Sequence, residues 1–186
     1  MITANFVTLT RLILSLASFA CLIRKGPVCL VAALFLYLIA ALMDILDGYL
    51  ARKLKGETSF GKLIDPIADK IQTLPPFIFF AWSGLYSIGW VAPIVVREVA
   101  VTFWRARLAT QGKIVVAERL GKIKTLFQHV TIVASIYFYF STDPFFKVDV
   151  KSSFWQYLNT WTHFYLILAV ILTVWSGIQF FIKNKA

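Results

Sequence analysis

The chain has 186 residues, of which 59% are hydrophobic and only 15% are charged, and its formal net charge is +10. A typical soluble domain carries about 25% charged residues, so this composition excludes an ordinary soluble protein and favours a membrane protein. The positive charge does not indicate nucleic-acid binding, because the basic residues stand in short clusters between apolar stretches. Anionic lipid and phosphate-bearing substrates are the partners expected instead.

Apolar stretches follow one another along the chain and predict transmembrane helices at residues 4–23, 28–50, 60–84, 88–108, 125–140 and 160–182. The predicted fold is therefore an all-α integral membrane bundle of about six helices, with residues 1–186 as a single domain. The first stretch lacks the basic start and the cleavage site of a secretory signal, so it is interpreted as a retained helix. No pattern predicts a role for the polar and aromatic connection at 143–159.

Lysine and arginine predict the orientation of the bundle. The loops after the second and fourth stretches and the tail carry these residues, whereas the turn at 83–89 is uncharged. Because basic loops stay on the cytoplasmic side, both termini are expected to be cytoplasmic.

Aspartates stand at the ends of the second and third predicted helices, on either side of one short loop: Asp44, Asp47, Asp65 and Asp69. An ionised side chain inside a membrane costs about 3 kcal/mol or more, so these acids need a partner. Spacings of three and four residues put each pair on one helix face, and antiparallel packing can bring the two faces together. Carboxylate oxygens suit hard divalent cations, so the cluster predicts a site for Mg²⁺ or Mn²⁺.

Two other interpretations of the acids are open. Salt bridges to neighbouring basic residues would explain one or two acids, but not a set on two facing helices with small residues between them. A divalent-cation transporter would also place acids inside a bundle, with broken helices near the middle of the membrane. The acids are instead expected at cytoplasmic helix ends beside Arg52, which favours an enzyme that binds phosphate.

The acids and the small residues between them resemble the signature of the CDP-alcohol phosphotransferases at every fixed position. The motif is Asp44-x2-Asp47-Gly48-x2-Ala51-Arg52-x8-Gly61-x3-Asp65-x3-Asp69. The resemblance implies that the aspartates hold two divalent metal ions and that Asp69 is also the general base. It further implies that Gly48, Ala51, Arg52 and Gly61 line the cytidine diphosphate site, and that the protein forms a homodimer.

Basic residues near the ends of the fourth and fifth predicted helices favour a phosphorylated acceptor. Arg97 and Arg105 lie in the fourth helix, and Lys122, Lys124 and Thr125 open the fifth. Arginine and lysine at neighbouring helix ends, with a threonine hydroxyl, can bind a phosphate dianion. The alternative is loop anchoring by the positive-inside rule, which is favoured for other basic residues of this region: Arg107, Lys113 and Arg119.

The same region resembles the bacterial phosphatidylglycerophosphate synthases, a branch of that family. The shared patterns are Arg97-Glu98, Gly121-Lys122-Ile123-Lys124-Thr125 and Asn5-x2-Thr8-x2-Arg11. The resemblance implies transfer of phosphatidyl from CDP-diacylglycerol to sn-glycerol 3-phosphate in the bacterial cytoplasmic membrane, giving phosphatidylglycerol phosphate and CMP. It also implies that Asn5 and Thr8 belong to the cytidine diphosphate site. Inositol phosphate and serine are the alternative acceptors.

Overall fold

The computed structural model describes the backbone of residues 2–54, 59–111, 119–141 and 153–184, and the side chains of residues 6–44, 66–111, 120–141 and 153–184. Over these residues the chain forms six α-helices: α1 (Ile2–Arg24), α2 (Pro27–Leu54), α3 (Ser59–Trp82), α4 (Ile88–Thr110), α5 (Arg119–Ser141) and α6 (Ser153–Lys183). The predicted all-α bundle is confirmed.

Two helices begin earlier than their apolar stretches predict. The helix α5 begins at Arg119 rather than at 125, and α6 begins at Ser153 rather than at 160. The polar and aromatic connection at 143–159 is therefore helical from Ser153 onward, and residues 143–152 lie outside the described part. Apolar content marks where a helix can cross a membrane, but a helix continues into polar sequence wherever its backbone hydrogen bonds continue.

Short turns join α1 to α2 and α3 to α4. Lys25 and Gly26 have φ angles of 55° and 90°, and Pro27 begins α2 with a φ angle that its ring already favours. Gly84, with φ of 81°, follows the end of α3. Ser87 caps α4, because its hydroxyl accepts from the backbone N–H of Gly89 at 3.4 Å.

Within the described residues, three helices contain segments long and apolar enough to cross a membrane: Phe6–Arg24, Pro27–Asp44 and Ser153–Lys183. The helices α3, α4 and α5 carry more charge along their lengths, including Asp69, Glu98 and Lys124. Charged residues of this kind are tolerated in a membrane bundle where they face its interior and pair with one another. Glu98 and Lys124 are both buried.

Each helix of the bundle packs against at least two others. The helix α1 packs against α2 and α3, α3 also contacts α4 and α5, and α6 packs against α4 and α5. The Ser18 hydroxyl donates to the Ala33 carbonyl at 2.8 Å and joins α1 to α2. Gln128 donates to the Thr173 hydroxyl at 3.1 Å and joins α5 to α6. Such polar contacts hold helices together where apolar burial contributes little, because lipid is itself apolar.

An aromatic core fills the end of the bundle next to the turn between α3 and α4. Phe79, Phe80, Tyr86 and Tyr139 make edge-to-face contacts, with ring centroids 5.4 to 6.2 Å apart. The Ser135 hydroxyl donates to a backbone carbonyl, so it accepts the hydrogen bond from the Tyr86 hydroxyl at 2.5 Å. Burial raises the pKa of Tyr86, which keeps this donor neutral.

Candidate functional site

A buried arginine from α1 reaches an aspartate from α2. Thr8, Arg11, Ser15 and Ser18 recur at spacings of three and four residues and form the buried face of α1. The guanidinium of Arg11, which is 3% exposed, forms an ion pair with the Asp44 carboxylate. A buried arginine needs such a partner, and the pair fixes the position of Asp44 relative to α1.

Asp69 of α3 lies beside a lysine that it shares with α4. The Nζ of Lys70 is 3.3 Å from Oδ2 of Asp69 and 2.5 Å from Oε2 of Glu98. The backbone of Asp69 is held in its helix, where its carbonyl accepts from the Thr73 hydroxyl at 2.9 Å. The Asp69 side chain is 37% exposed, so its carboxylate can be reached from outside the protein.

Glu98 is the centre of this region. Its carboxylate lies near the middle of α4, is 2% exposed, and among the described residues it contacts Lys70 of α3, Arg97 of α4 and Lys124 of α5. The Arg97 guanidinium donates to Oε1 at 3.1 Å, and the Lys124 ammonium donates to the same oxygen. We call Asp69, Lys70, Arg97, Glu98 and Lys124 the charged cluster. Its cationic groups outnumber its carboxylates, so the cluster has a positive excess.

A glycine of α6 makes room for Arg97. A Cβ atom built on Gly177 would lie 2.8 Å from Cγ of Arg97, closer than any ordinary carbon contact. The Arg97 side chain therefore runs over the bare backbone of α6 on its way to Glu98. This close approach of α6 keeps Arg97 largely buried, at 12% exposed.

The structure brings together two of the predicted acceptor residues and separates the others. Arg97 and Lys124 meet on Glu98, as described above. Arg105 lies over the Phe180 ring of α6, with its Cζ atom 5.3 Å from the ring centroid. The Lys122 side chain is exposed. The Thr125 hydroxyl donates to the Gly121 carbonyl of its own helix at 2.9 Å.

The remaining predicted site residues lie outside the described side chains: Asn5, Asp47, Gly48, Ala51, Arg52, Gly61 and Asp65. Of the predicted metal ligands, Asp44 and Asp69 are described, and of the predicted cytidine diphosphate ligands, Thr8 is described and buried. Within the described side chains, no group of three or more histidine, cysteine or acidic residues could hold a metal ion.

The described acids nevertheless have the chemistry that a divalent cation needs. The side chains of Asp44 and Asp69 are 31% and 37% exposed, so neither is sealed inside the bundle. Carboxylate oxygens are the preferred ligands of hard cations such as Mg²⁺. The chemistry of these two donors is therefore compatible with a divalent ion.

Glu98 and Lys70 are functional candidates to which the sequence assigned no role, although Glu98 belongs to the Arg97-Glu98 pattern. The sequence places Glu98 beside Arg97 inside a helix, which is the available signal, since an ionisable residue inside a membrane span usually has a partner or a function. It does not show that Lys70 and Lys124 reach the same carboxylate. Another contact absent from the sequence is the hydrogen bond between the Tyr37 hydroxyl and Nδ1 of His129, at 2.8 Å.

The arrangement places hydrogen-bond donors suited to an anion next to the partly exposed carboxylate of Asp69. Lys70, Arg97 and Lys124 supply donors suited to phosphate oxygens. Asp69 is linked to them through Lys70 and is exposed enough to meet a hydroxyl group. Such a pairing suits chemistry in which an alcohol that carries a phosphate is deprotonated and attacks a second phosphate.

Comparison with known proteins identifies close relatives. A family model described as CDP-alcohol phosphatidyltransferase matches residues 1–175. The CDP-diacylglycerol–glycerol-3-phosphate 3-phosphatidyltransferase of Bacillus subtilis is 38% identical over 158 residues, which are 85% of this chain and 76% of that protein. The protein of the same name from Mycoplasma genitalium is 35% identical over 150 residues, 80% of this chain and 62% of that protein. That of Mycoplasma pneumoniae is 32% identical over 162 residues, 84% of this chain and 71% of that protein.

Proposed function

The chain belongs to the CDP-alcohol phosphatidyltransferase family, and we propose that it transfers a phosphatidyl group from CDP-diacylglycerol to sn-glycerol 3-phosphate. The products are phosphatidylglycerol phosphate and CMP. The family consists of membrane proteins that generally use divalent metal ions, and the chain is a bacterial membrane protein. The observation that carries the choice of acceptor is the charged cluster, in which cationic side chains from α3, α4 and α5 lie beside Asp69.

The aspartates are the proposed metal ligands: Asp44, Asp47, Asp65 and Asp69. Two divalent ions, Mg²⁺ or Mn²⁺, would neutralise the pyrophosphate of CDP-diacylglycerol and stabilise the charge of the departing CMP. The Arg11 guanidinium holds Asp44 in place from α1, so this ligand does not depend on the ion for its position. Support for the assignment comes from the exposed carboxylates of Asp44 and Asp69 and from the spacing of the acids in the sequence.

The cytidine diphosphate is proposed to lie along α1 and α2 and the start of α3. The residues assigned to it are Asn5, Thr8, Gly48, Ala51, Arg52 and Gly61. The small residues leave room for a nucleotide to approach the helix backbone, and Arg52 can donate to phosphate oxygens. Thr8 lies on the same face of α1 as Arg11, which favours a position close to the metal ligands.

Asp69 is the proposed general base. It accepts the proton of the acceptor hydroxyl, and the oxygen of that hydroxyl forms a bond to the phosphorus of the phosphatidyl group. The bond from that phosphorus to the oxygen of CMP breaks, and CMP leaves with the bonding electrons. Lys70 keeps a position beside Asp69, because Glu98 holds the same ammonium group.

The phosphate of the acceptor is proposed to bind Arg97 and Lys124, which meet at Glu98. Arg105, Lys122 and Thr125 are the other proposed phosphate ligands. A phosphate dianion can displace part of the contact that each cation makes with Glu98, because the cluster has a positive excess. Serine has no phosphate dianion, so the cluster favours glycerol 3-phosphate or inositol phosphate. The names of the relatives favour glycerol 3-phosphate.

The location and assembly are also proposals. Basic residues in the loops after α2 and α4 and in the tail support a bacterial cytoplasmic membrane location with both termini on the cytoplasmic side. Residues 1–186 would act as one catalytic unit, and the unit would pair as a homodimer, as the family resemblance implies.

The test is CMP release by the purified protein in detergent with CDP-diacylglycerol and Mg²⁺. Glycerol 3-phosphate, inositol phosphate, serine and no acceptor are compared. We expect release with glycerol 3-phosphate, and a loss of about 100-fold or more in Asp69→Asn, since a general base typically contributes about that factor. Tyr86→Phe is the matched control, because it removes a buried hydroxyl from the aromatic core. Release of CMP with inositol phosphate or serine instead would contradict the assignment of glycerol 3-phosphate as the acceptor. No release with any acceptor would contradict the transferase and favour the alternative of a divalent-cation transporter.

A further inference from the structure

The charged cluster contains one buried carboxylate that none of the roles above requires. The Glu98 side chain is 2% exposed and, within the described side chains, is linked to Asp69 only through the ammonium group that both contact, that of Lys70. Among the described residues it is met by cationic groups from α3, α4 and α5. A carboxylate that only neutralised its neighbour Arg97 would not need contacts with two further helices.

The cationic groups could not remain together without Glu98. Lys70, Arg97 and Lys124 reach the same carboxylate, so their charged atoms lie within a few ångströms of one another. Like charges at such distances repel strongly where water is scarce. Without the carboxylate, lysine side chains in a membrane bundle turn toward the headgroups and water, which their long stems permit.

Two details indicate that the cluster is built for a ligand. Nε of Arg97 is buried and has no hydrogen-bond partner among the described residues, so the guanidinium has donor capacity left over. Glu98 has two oxygens for three cationic partners, and one oxygen is shared by Arg97 and Lys124. A phosphate oxygen can therefore add to these cations without first breaking every contact to Glu98.

We infer that Glu98 is the positioning residue of the acceptor site. It holds Lys124 and Arg97 at the spacing that a phosphate dianion bridges, and it holds Lys70 between the phosphate and Asp69. This inference deepens the proposed function and rests on it, because the phosphate in question is that of the acceptor. Glu98 does not touch the reacting atoms, so its effect is on the binding of the acceptor and leaves the binding of CDP-diacylglycerol unchanged.

The experiment compares Glu98→Gln with the wild type in detergent. The Michaelis constants for glycerol 3-phosphate and for CDP-diacylglycerol are measured separately. Glutamine has the same shape but no charge, so we expect the KM for glycerol 3-phosphate to rise by about tenfold or more, while the KM for CDP-diacylglycerol stays within about twofold. Glu98→Asp keeps the negative charge on a side chain that is shorter by one methylene group. We expect its KM for glycerol 3-phosphate to lie between those of the wild type and Glu98→Gln.

A second readout does not depend on turnover. Glycerol 3-phosphate should raise the thermal unfolding midpoint of the wild type, because a ligand that binds the folded state stabilises it. Glu98→Gln should lose this rise, and Glu98→Asp should keep part of it. Tyr86→Phe, which removes a buried hydrogen bond in the aromatic core, should keep all of it.

The outcomes separate the inference from the proposed function. If the wild type releases no CMP with glycerol 3-phosphate, the proposed function is wrong, whatever Glu98 does. If the wild type is active and Glu98→Gln has an unchanged or lower KM for glycerol 3-phosphate, the positioning role is wrong. A purely structural Glu98 would lower the unfolding midpoint and the yield while leaving both KM values unchanged. If Glu98→Gln does not fold, Glu98→Asp decides: an unchanged KM for glycerol 3-phosphate overturns the inference.

Discussion

The charged cluster and the aromatic core are both buried, but they are held together in opposite ways. In the aromatic core, edge-to-face contacts join Phe79, Phe80 and Tyr86. The Tyr86 hydroxyl has its hydrogen-bond partner within the protein, the Ser135 hydroxyl. The charged cluster instead brings like charges together around Glu98 and leaves Nε of Arg97 without a partner among the described residues.

The contrast indicates that the aromatic core stabilises the fold and that the charged cluster is suited to binding a ligand. A closed aromatic packing gains contact energy and has little capacity for a new partner. A buried ion cluster pays a desolvation cost that its own pairing recovers only in part, so it is weak evidence for stability. Substitutions in the core should therefore change unfolding with little effect on substrate binding, whereas substitutions in or beside the cluster should change the binding of the acceptor.

The largest effect is expected at Arg11, which is buried and pairs with the proposed metal ligand Asp44. Its loss should change both stability and activity. Arg11→Met would leave the Asp44 carboxylate, which is 31% exposed, without its described partner. Because water can still reach that carboxylate, we expect the free energy of unfolding to fall by about 1–3 kcal/mol, and a displaced Asp44 should lower CMP release by about 100-fold or more, as expected for a misplaced catalytic group. Thermal unfolding in detergent and the activity assay measure the two effects.

Arg24→Met is the matched control for this prediction. Arg24 ends the same helix but is exposed, so its loss should change the free energy of unfolding by at most about 0.5 kcal/mol. Equal stability of the two variants would contradict the importance assigned to the Arg11–Asp44 pair. The double variant Arg11→Met, Asp44→Asn should lose less stability than the two single losses added together, because the unpaired charge is gone.

The helices of the bundle were predictable from the sequence only in part. The existence and order of the helices were predictable, because apolar stretches separated by basic or glycine-containing turns have a clear meaning in a membrane protein. The starts of α5 and α6 were not, because Arg119 and Ser153 begin helices in polar sequence where hydropathy gives no signal.

Partners across the bundle could not be predicted from the pattern alone. The sequence identifies Asp44 and Asp69 as acids that need partners, but the choice of Arg11 for Asp44 depends on how α1 is rotated against α2. The same holds for Glu98, which collects Lys70 and Lys124 from two other helices. Spacing within one helix defines a face, and only the packing of the bundle decides what that face meets.

A smaller effect, confined to stability, is expected in the aromatic core. Phe80 has no exposed surface, so Phe80→Ala leaves a cavity and should destabilise the protein by on the order of 3 kcal/mol. Both KM values should stay within about twofold of the wild type, because the core lies away from the charged cluster. Phe103→Ala is the control, since Phe103 is 70% exposed and its loss creates no cavity. A selective rise in the KM for glycerol 3-phosphate would show that the two regions are coupled.

The smallest effect is expected at Gly177, and it sharpens the comparison most. In Gly177→Ala the new Cβ atom would meet Cγ of Arg97 at 2.8 Å, so the arginine stem must shift. The shift should raise the KM for glycerol 3-phosphate by a few-fold, because a displacement of about 1 Å matters for a positioned group. The free energy of unfolding should change by about 1 kcal/mol or less, since alanine is the better helix former and offsets part of the strain.

Gly89→Ala provides the matched control for that change. Its new Cβ atom would meet Ser87 Oγ at an ordinary 3.7 Å, at the start of α4 and away from Arg97. We expect this variant to be as stable as the wild type or more stable by up to about 1 kcal/mol, with both KM values unchanged. If the two alanine variants have the same KM for glycerol 3-phosphate, the close approach of α6 does not position Arg97. A rise in Gly177→Ala alone would mean that backbone packing, as well as charge, sets the geometry of the acceptor site.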